Sequence, residues 1–227
     1  MFTIVNTYPV NDEIFHLPGW DSELPSRMFA GYIEAGNDTV KNVTYELYEH
    51  YMFIESENDP KTDPVLIWTN GGPGAASFFG LFVELGPLHL SSESLKTDAY
   101  NKTSIPTLFR NNHTWSSNAS ILIINSPSPI GFSYCTPMGP TGNGTSCGDW
   151  DDNRTATQTK NYLDNWMENF PSFNNNSFFI VGESYGGVYV PTLIRKLRAD
   201  NTSKLYKKLE GFAIVDGCVG FDVLCGK

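Results

Sequence analysis

Positive charge is scarce in this chain. Of 227 residues only 15 are Lys or Arg, against 25 Asp or Glu, which leaves a formal net charge of −10. Phosphate backbones and anionic membrane surfaces are bound by clustered cations, so nucleic acid is excluded as a partner and so is charged lipid. Long hydrophobic runs are also missing. No stretch reaches about 18 uninterrupted apolar residues, which excludes a membrane span of the usual helical kind. The first twenty residues, MFTIVNTYPVNDEIFHLPGW, have neither the basic start nor the apolar centre of a signal peptide. The four histidines, His16, His50, His89 and His113, are scattered and form no HExxH pair. Cys135, Cys147, Cys218 and Cys225 have spacings that fit no zinc site, so no metal is expected. The Gly-Lys-Ser/Thr of a P-loop and the spacing of a dinucleotide fingerprint are absent too, and no cofactor is expected.

Core-forming material is plentiful. Forty per cent of the residues are apolar, 14% aromatic and only 18% charged, a composition that folds. The length is that of one to two domains. Asn-X-Ser/Thr sequons begin at Asn37, Asn42, Asn101, Asn112, Asn118, Asn143, Asn153, Asn175 and Asn201. Chance would supply about three, so the excess predicts a secretory route with exposed acceptor sites. In an oxidising compartment the four cysteines are expected to form disulfides, with three pairings open.

Residues 29–35 and 44–54 read as strands, the second partly alternating as a half-buried antiparallel strand does. VLIWT at 65–69, ILIIN at 121–125, FFIV at 178–181 and FAIV at 212–215 are short continuous apolar runs, expected where a parallel strand is buried on both faces. Between the last three lie helical patterns. Over 155–170, Leu163, Trp166, Met167 and Phe170 form one stripe that Pro171 ends; over 185–199, Leu193, Ile194 and Leu197 face a core and Pro191 predicts a kink. Strands alternating with helices predict an α/β fold with a mostly parallel sheet, entered through an antiparallel hairpin.

Two motifs carry chemistry. Gly182-Glu183-Ser184-Tyr185-Gly186 matches GxSxG at a strand-to-helix junction, where a sharp turn lifts the serine towards a carbonyl and free amides of the helix start face a developing oxyanion. Trp68-Thr69-Asn70-Gly71-Gly72-Pro73-Gly74 follows another buried strand and can aim several backbone amides at one point. Both features point to acyl transfer.

At these residues the chain resembles the serine carboxypeptidase family. The resemblance runs through LPG at 17–19, GYIEA at 31–35, WTNGGPG at 68–74, GLFVELGP at 80–87, SPSPIGFSY at 126–134, GESYGG at 182–187 and YVP at 189–191. It implies an α/β-hydrolase fold with Ser184 as nucleophile and the Gly72 and Tyr185 amides as oxyanion hole. It also implies that Asn70, the Gly71 amide, Glu84 and Glu183, with Trp68 close by, grip the free C-terminal carboxylate of a peptide substrate. Two glutamates near a third carboxylate bind it best when one of the three is protonated, so acidic solution should favour binding, as in a lysosome or vacuole, although an extracellular location fits the sequons equally.

The resemblance also shows what is different. Ala75 and Ala76 stand where the family commonly has Cys-Ser. In this fold the triad runs Ser, Asp, His along the chain, and no histidine follows Ser184. Residues 1–227 are therefore expected to be the amino-terminal part of a single α/β-hydrolase domain, stopping after the strand near 212–215 without the cap and carboxy-terminal strands. Such a chain would have an open apolar sheet edge and would need its acid and base from a complementary carboxy-terminal chain or segment. An acyltransferase of the same family and a non-catalytic truncated homologue are the alternative readings.

Overall fold

The computed structural model describes residues 8–137 and 147–218. Ten strands appear in chain order: β1 (Glu13–Ile14), β2 (Met28–Val40), β3 (Val43–Ile54), β4 (Val65–Thr69), β5 (Leu88–His89), β6 (Phe109–Arg110), β7 (Ser120–Asn125), β8 (Tyr134–Thr136), β9 (Phe178–Glu183) and β10 (Leu209–Val215). Three α-helices accompany them: α1 (Asp98–Thr103), α2 (Asp152–Asn169) and α3 (Gly186–Ala199). The main sheet runs β1-β2-β3-β7-β4-β9-β10, with β8 also on β3, and β5 pairs with β6 in a separate ribbon.

The amino-terminal half of the sheet is antiparallel. β2 and β3 form a long hairpin closed by Lys41 and Asn42, both at positive φ, the two-residue turn whose twist matches that of its strands. β3 then pairs antiparallel with β7 through residues 50–54 and with β8 through residues 46–48. From β7 onwards the pairing is parallel, β7 to β4, β4 to β9 and β9 to β10. The carboxyl ends of these four strands consequently share one edge, where ligands of open α/β sheets bind.

Each face of the sheet has its own core. Tyr162, Leu163, Trp166 and Met167 of α2 and Val190, Leu193 and Leu197 of α3 pack with Phe53, Ile67, Leu122 and Ile180 on one face. On the other, Trp68, Ile121, Ile123 and Val181 meet Leu81 and Leu85. Strands β4 and β7 contribute to both clusters, which is why they read as unbroken apolar runs. α2 starts where the Asp151 side chain accepts the Arg154 N–H, a helix cap, and stops at Phe170 before Pro171. Pro191 lies inside α3 without interrupting it. β10 departs from the expectation of a strand buried on both faces: none of its residues is buried, and Phe212 and Val215 are exposed, because among the described residues β10 pairs only with β9.

Candidate active site

Ser184 follows directly on β9 and sits at φ 56°, a left-handed conformation that costs a serine on the order of 1–3 kcal/mol. Backbone hydrogen bonds hold it there. Its N–H donates to Val215 O (3.0 Å), and its carbonyl accepts the N–H of Gly187 (3.0 Å) and of Cys218 (2.8 Å). The side chain is exposed, and its hydroxyl has no hydrogen-bond partner among the described residues. The glycine loop after β4 lies against this turn. A Cβ on Gly71 would stand 2.3 Å from the Tyr185 nitrogen, so the loop can approach the Tyr185 amide only without a side chain. The Gly74 N–H donates to the Tyr189 hydroxyl (3.3 Å) and ties the far end of the loop to α3.

Glu183, the residue before Ser184, turns towards a second group of side chains. The Asn70 side-chain oxygen Oδ1 accepts two donors, Trp68 Nε1 and the Gly80 N–H, each at 3.0 Å. With its oxygen so occupied, the amide nitrogen of Asn70 faces the carboxylates, 2.5 Å from Glu183 Oε2 and 3.5 Å from Glu84 Oε2. The Asn70 backbone N–H donates to Ser77 Oγ (3.0 Å), and the Ser77 N–H donates to Asn125 Oδ1 (3.0 Å), so the buried Asn70 is fixed from both ends. Glu84 comes from a single π-helical turn over Gly80–Leu85. Burial, and next the charge of Glu183, raise the Glu84 pKa above its ordinary value. A carboxyl that holds its proton beside an amide donor can receive a further carboxylate.

Beyond Ser184, Tyr185 turns the other way. Its hydroxyl donates to Asp152 Oδ1 (3.1 Å) at the start of α2, and its ring meets Tyr189 edge-on. Asp152 belongs to no motif, and its place directly after the Asp151 cap is the only signal of it in the sequence. Of the five residues expected to grip a carboxylate, the structure brings together four, Trp68, Asn70, Glu84 and Glu183, while Gly71 lies on the Tyr185 side of the loop. The histidines stand elsewhere. His16 and His113 are exposed, His89 Nε2 lies against the Glu84 carbonyl, and His50 is buried among Tyr32, Phe78 and Phe132. None has a contact with Ser184 among the described residues.

Of the three cysteine pairings, the structure contains Cys135–Cys147, with Cα atoms 5.9 Å apart. Cys218 is also disulfide-bonded, and Cys225 lies outside the described residues. Eight of the nine sequon asparagines are exposed, whereas Asn70, Asn111, Asn125 and Asn176, which head no sequon, are buried; Asn143 lies outside the described residues. Among the described residues no three His, Cys, Asp or Glu side chains group as metal ligands, and no helix is long and apolar enough to cross a membrane.

A serine raised at left-handed φ between a parallel strand and a helix, with a glycine loop laid against the next amide, defines an α/β-hydrolase, and the sheet order agrees. The fold matches a prohormone-processing carboxypeptidase from Saccharomyces cerevisiae with TM-score 0.73 at 24% identity, covering 93% of this chain and 44% of that one. Residues 18–223 match the model of the serine carboxypeptidase family, and the chain belongs to that family. Serine carboxypeptidase 1 of Hordeum vulgare is 37% identical over 185 residues, 82% of this chain and 33% of the relative. Serine carboxypeptidase-like 21 of Arabidopsis thaliana is 34% identical over 218 residues, 95% of this chain and 40% of the relative. The lysosomal protective protein of Mus musculus is 32% identical over 214 residues, 94% of this chain and 39% of the relative. The chain therefore spans roughly 40% or less of the length of these curated relatives.

Proposed function

We propose that this chain is the nucleophile-bearing part of a serine-type carboxypeptidase that removes C-terminal residues from peptides. The observation that carries the reading is the Asn70–Glu183–Glu84 cluster one residue away from Ser184. A carboxylate held there places the preceding peptide carbonyl at the serine, so only a bond next to a chain end is reached. Ser184 Oγ attacks that carbonyl carbon, its proton passes to a base, and the oxyanion meets the Gly72 and Tyr185 amides. As the C–N bond breaks, the base returns the proton to the departing amine, and water then releases the acyl group from Ser184. None of the four histidines is placed to be that base; in this mechanism the base and its acid partner come from the region that the longer relatives possess and this chain does not span. Exposed sequons and a disulfide support a secretory location, and one relative is lysosomal by name.

Glu84 gives the reading a pH signature. Its raised pKa keeps it protonated in acid, where it donates to the substrate carboxylate; as pH rises through that value the proton is lost and two carboxylates repel. In the longest natural polypeptide carrying this sequence, KM for a blocked dipeptide acid should rise with pH through that range. Glu84→Gln, permanently neutral, should lose the dependence. Equal cleavage of the dipeptide acid and its C-terminal amide would sink the proposal. Product transfer to an added alcohol or amine in preference to water would favour the acyltransferase reading.

A further inference from the structure

Ser184 lies where the chain passes between the two faces of the sheet. Glu183, before it, points to Asn70 and Glu84, which stand with Trp68, Leu81 and Leu85 on one face. Tyr185, after it, points to Asp152 and Tyr189 on the face covered by α2 and α3. If the carboxypeptidase reading holds, on which this inference rests, a peptide anchored by its terminal carboxylate on the first face must carry its penultimate residue over Ser184 towards the second.

Asp152 waits there with its charge uncompensated. Its Oδ1 accepts the Tyr185 hydroxyl, while Oδ2 has no hydrogen bond and the residue no ion pair among the described residues. The cations around it are engaged elsewhere. Arg154 is paired with Asp38 and lies 3.6 Å over the Trp150 ring; Lys160 is held by Asp164 (2.8 Å) and Asp200 (2.7 Å); Lys41 is held by Asp149 (2.5 Å). The neighbouring Asp151 is already used as the α2 cap. Arg195, Lys196 and Arg198 stand at the far end of α3, about 14 Å along the helix from its start. Half-buried and oriented by Tyr185, Asp152 is an acidic group one tyrosine side chain away from Ser184, with no cationic partner among the described residues. We propose that Asp152 is a specificity-determining residue that selects peptides whose penultimate residue, the one donating its carbonyl to Ser184, is Lys or Arg.

The test compares blocked dipeptides with one common C-terminal residue and Lys, Leu or Glu before it, in the longest natural polypeptide carrying this sequence. The native protein should prefer Lys. Asp152→Asn should lower kcat/KM for the Lys substrate by about fivefold, the upper weight of one partly exposed ion pair, and change the Leu substrate by less than about twofold. Asp152→Ser, which retains a favourable helix start, serves as the second variant and should behave likewise. Turnover with the same Lys-to-Leu ratio in native and variant proteins overturns the proposal alone. Failure to turn over any of the three peptides overturns the carboxypeptidase reading and this proposal together.

Discussion

A methyl group on Gly71 would lie 2.3 Å from the Tyr185 nitrogen and 2.7 Å from the Glu183 carbonyl oxygen, both backbone atoms with no rotamer to retreat into. Gly71→Ala should therefore push the loop off the nucleophile turn. In the longest natural polypeptide carrying this sequence, its expected signature is a fall in fluorophosphonate labelling of Ser184 of about tenfold; in residues 1–227 it is a loss of Tm of about 2–12 °C, the range set by 1–3 kcal/mol of overpacking. Unchanged labelling would show that the amides beside Ser184 do not depend on this close approach. Residue by residue, the raised serine turn at Ser184 was legible from its local context alone, because a tight turn leaves a short signature. The cluster proposed to grip a carboxylate was not: Trp68, Asn70, Glu84 and Glu183 come from three separate segments, and only resemblance linked them before the fold did. Asp152 was illegible by either route, since its partner Tyr185 is 33 residues away.

Among the elements, those buried on both faces were the most legible, as β4 and β7 show. The hairpin was read too short. β2 continues to Val40 beyond a register shift at Glu34–Gly36, through polar residues outside the core whose pairing is held by the turn and the partner strand. The π-helical turn at Gly80–Leu85 left no periodicity in six residues, because its shape answers to what lies beneath it. A Cβ on Gly80 would stand 2.2 Å from Trp68 Nε1 and 2.8 Å from Asn70 Oδ1. Gly80→Ala should break both hydrogen bonds to Asn70 Oδ1 and destabilise the chain by about 1–3 kcal/mol, the cost of buried groups left unpaired. Thermal unfolding together with a changed Trp68 fluorescence environment would register this, and a native-like Tm would contradict it.

For the molecule as a whole, two buried groups on neighbouring positions of β3 set opposite demands on pH. Burial pushes the Glu49 pKa from 4.5 up to about 8, although its Oε1 accepts the Ser128 N–H at 3.0 Å. Burial pushes His50 from 6.5 down to about 4. Between pH 4 and 6.5 the unfolded chain holds a His50 proton that the folded one lacks, so stability rises with pH; between 4.5 and 8 the folded chain holds a Glu49 proton that the unfolded one lacks, so stability falls. The slopes cancel from 4.5 to 6.5, leaving a plateau on the acid side of neutrality. Raised Glu55 and Glu84 add a decline that begins at pH 4.5, and lowered Glu13, Asp63 and Asp149 steepen the loss of stability in acid. Tm measured from pH 3 to 9 should trace that profile, and Glu49→Gln should flatten its alkaline limb by roughly 5 °C at pH 8.5. A Tm that keeps rising to pH 8 would rule the account out.

The strand order has a consequence in time. β4 is flanked by β7 and β9, yet it leaves the ribosome before either, with β7 about 50 residues behind it and β9 more than 100. At about 5–20 residues per second, VLIWT stands for several seconds with both edges unpaired. The segment that ends up deepest in the sheet is thus the one that nascent-chain chaperones have the longest opportunity to meet.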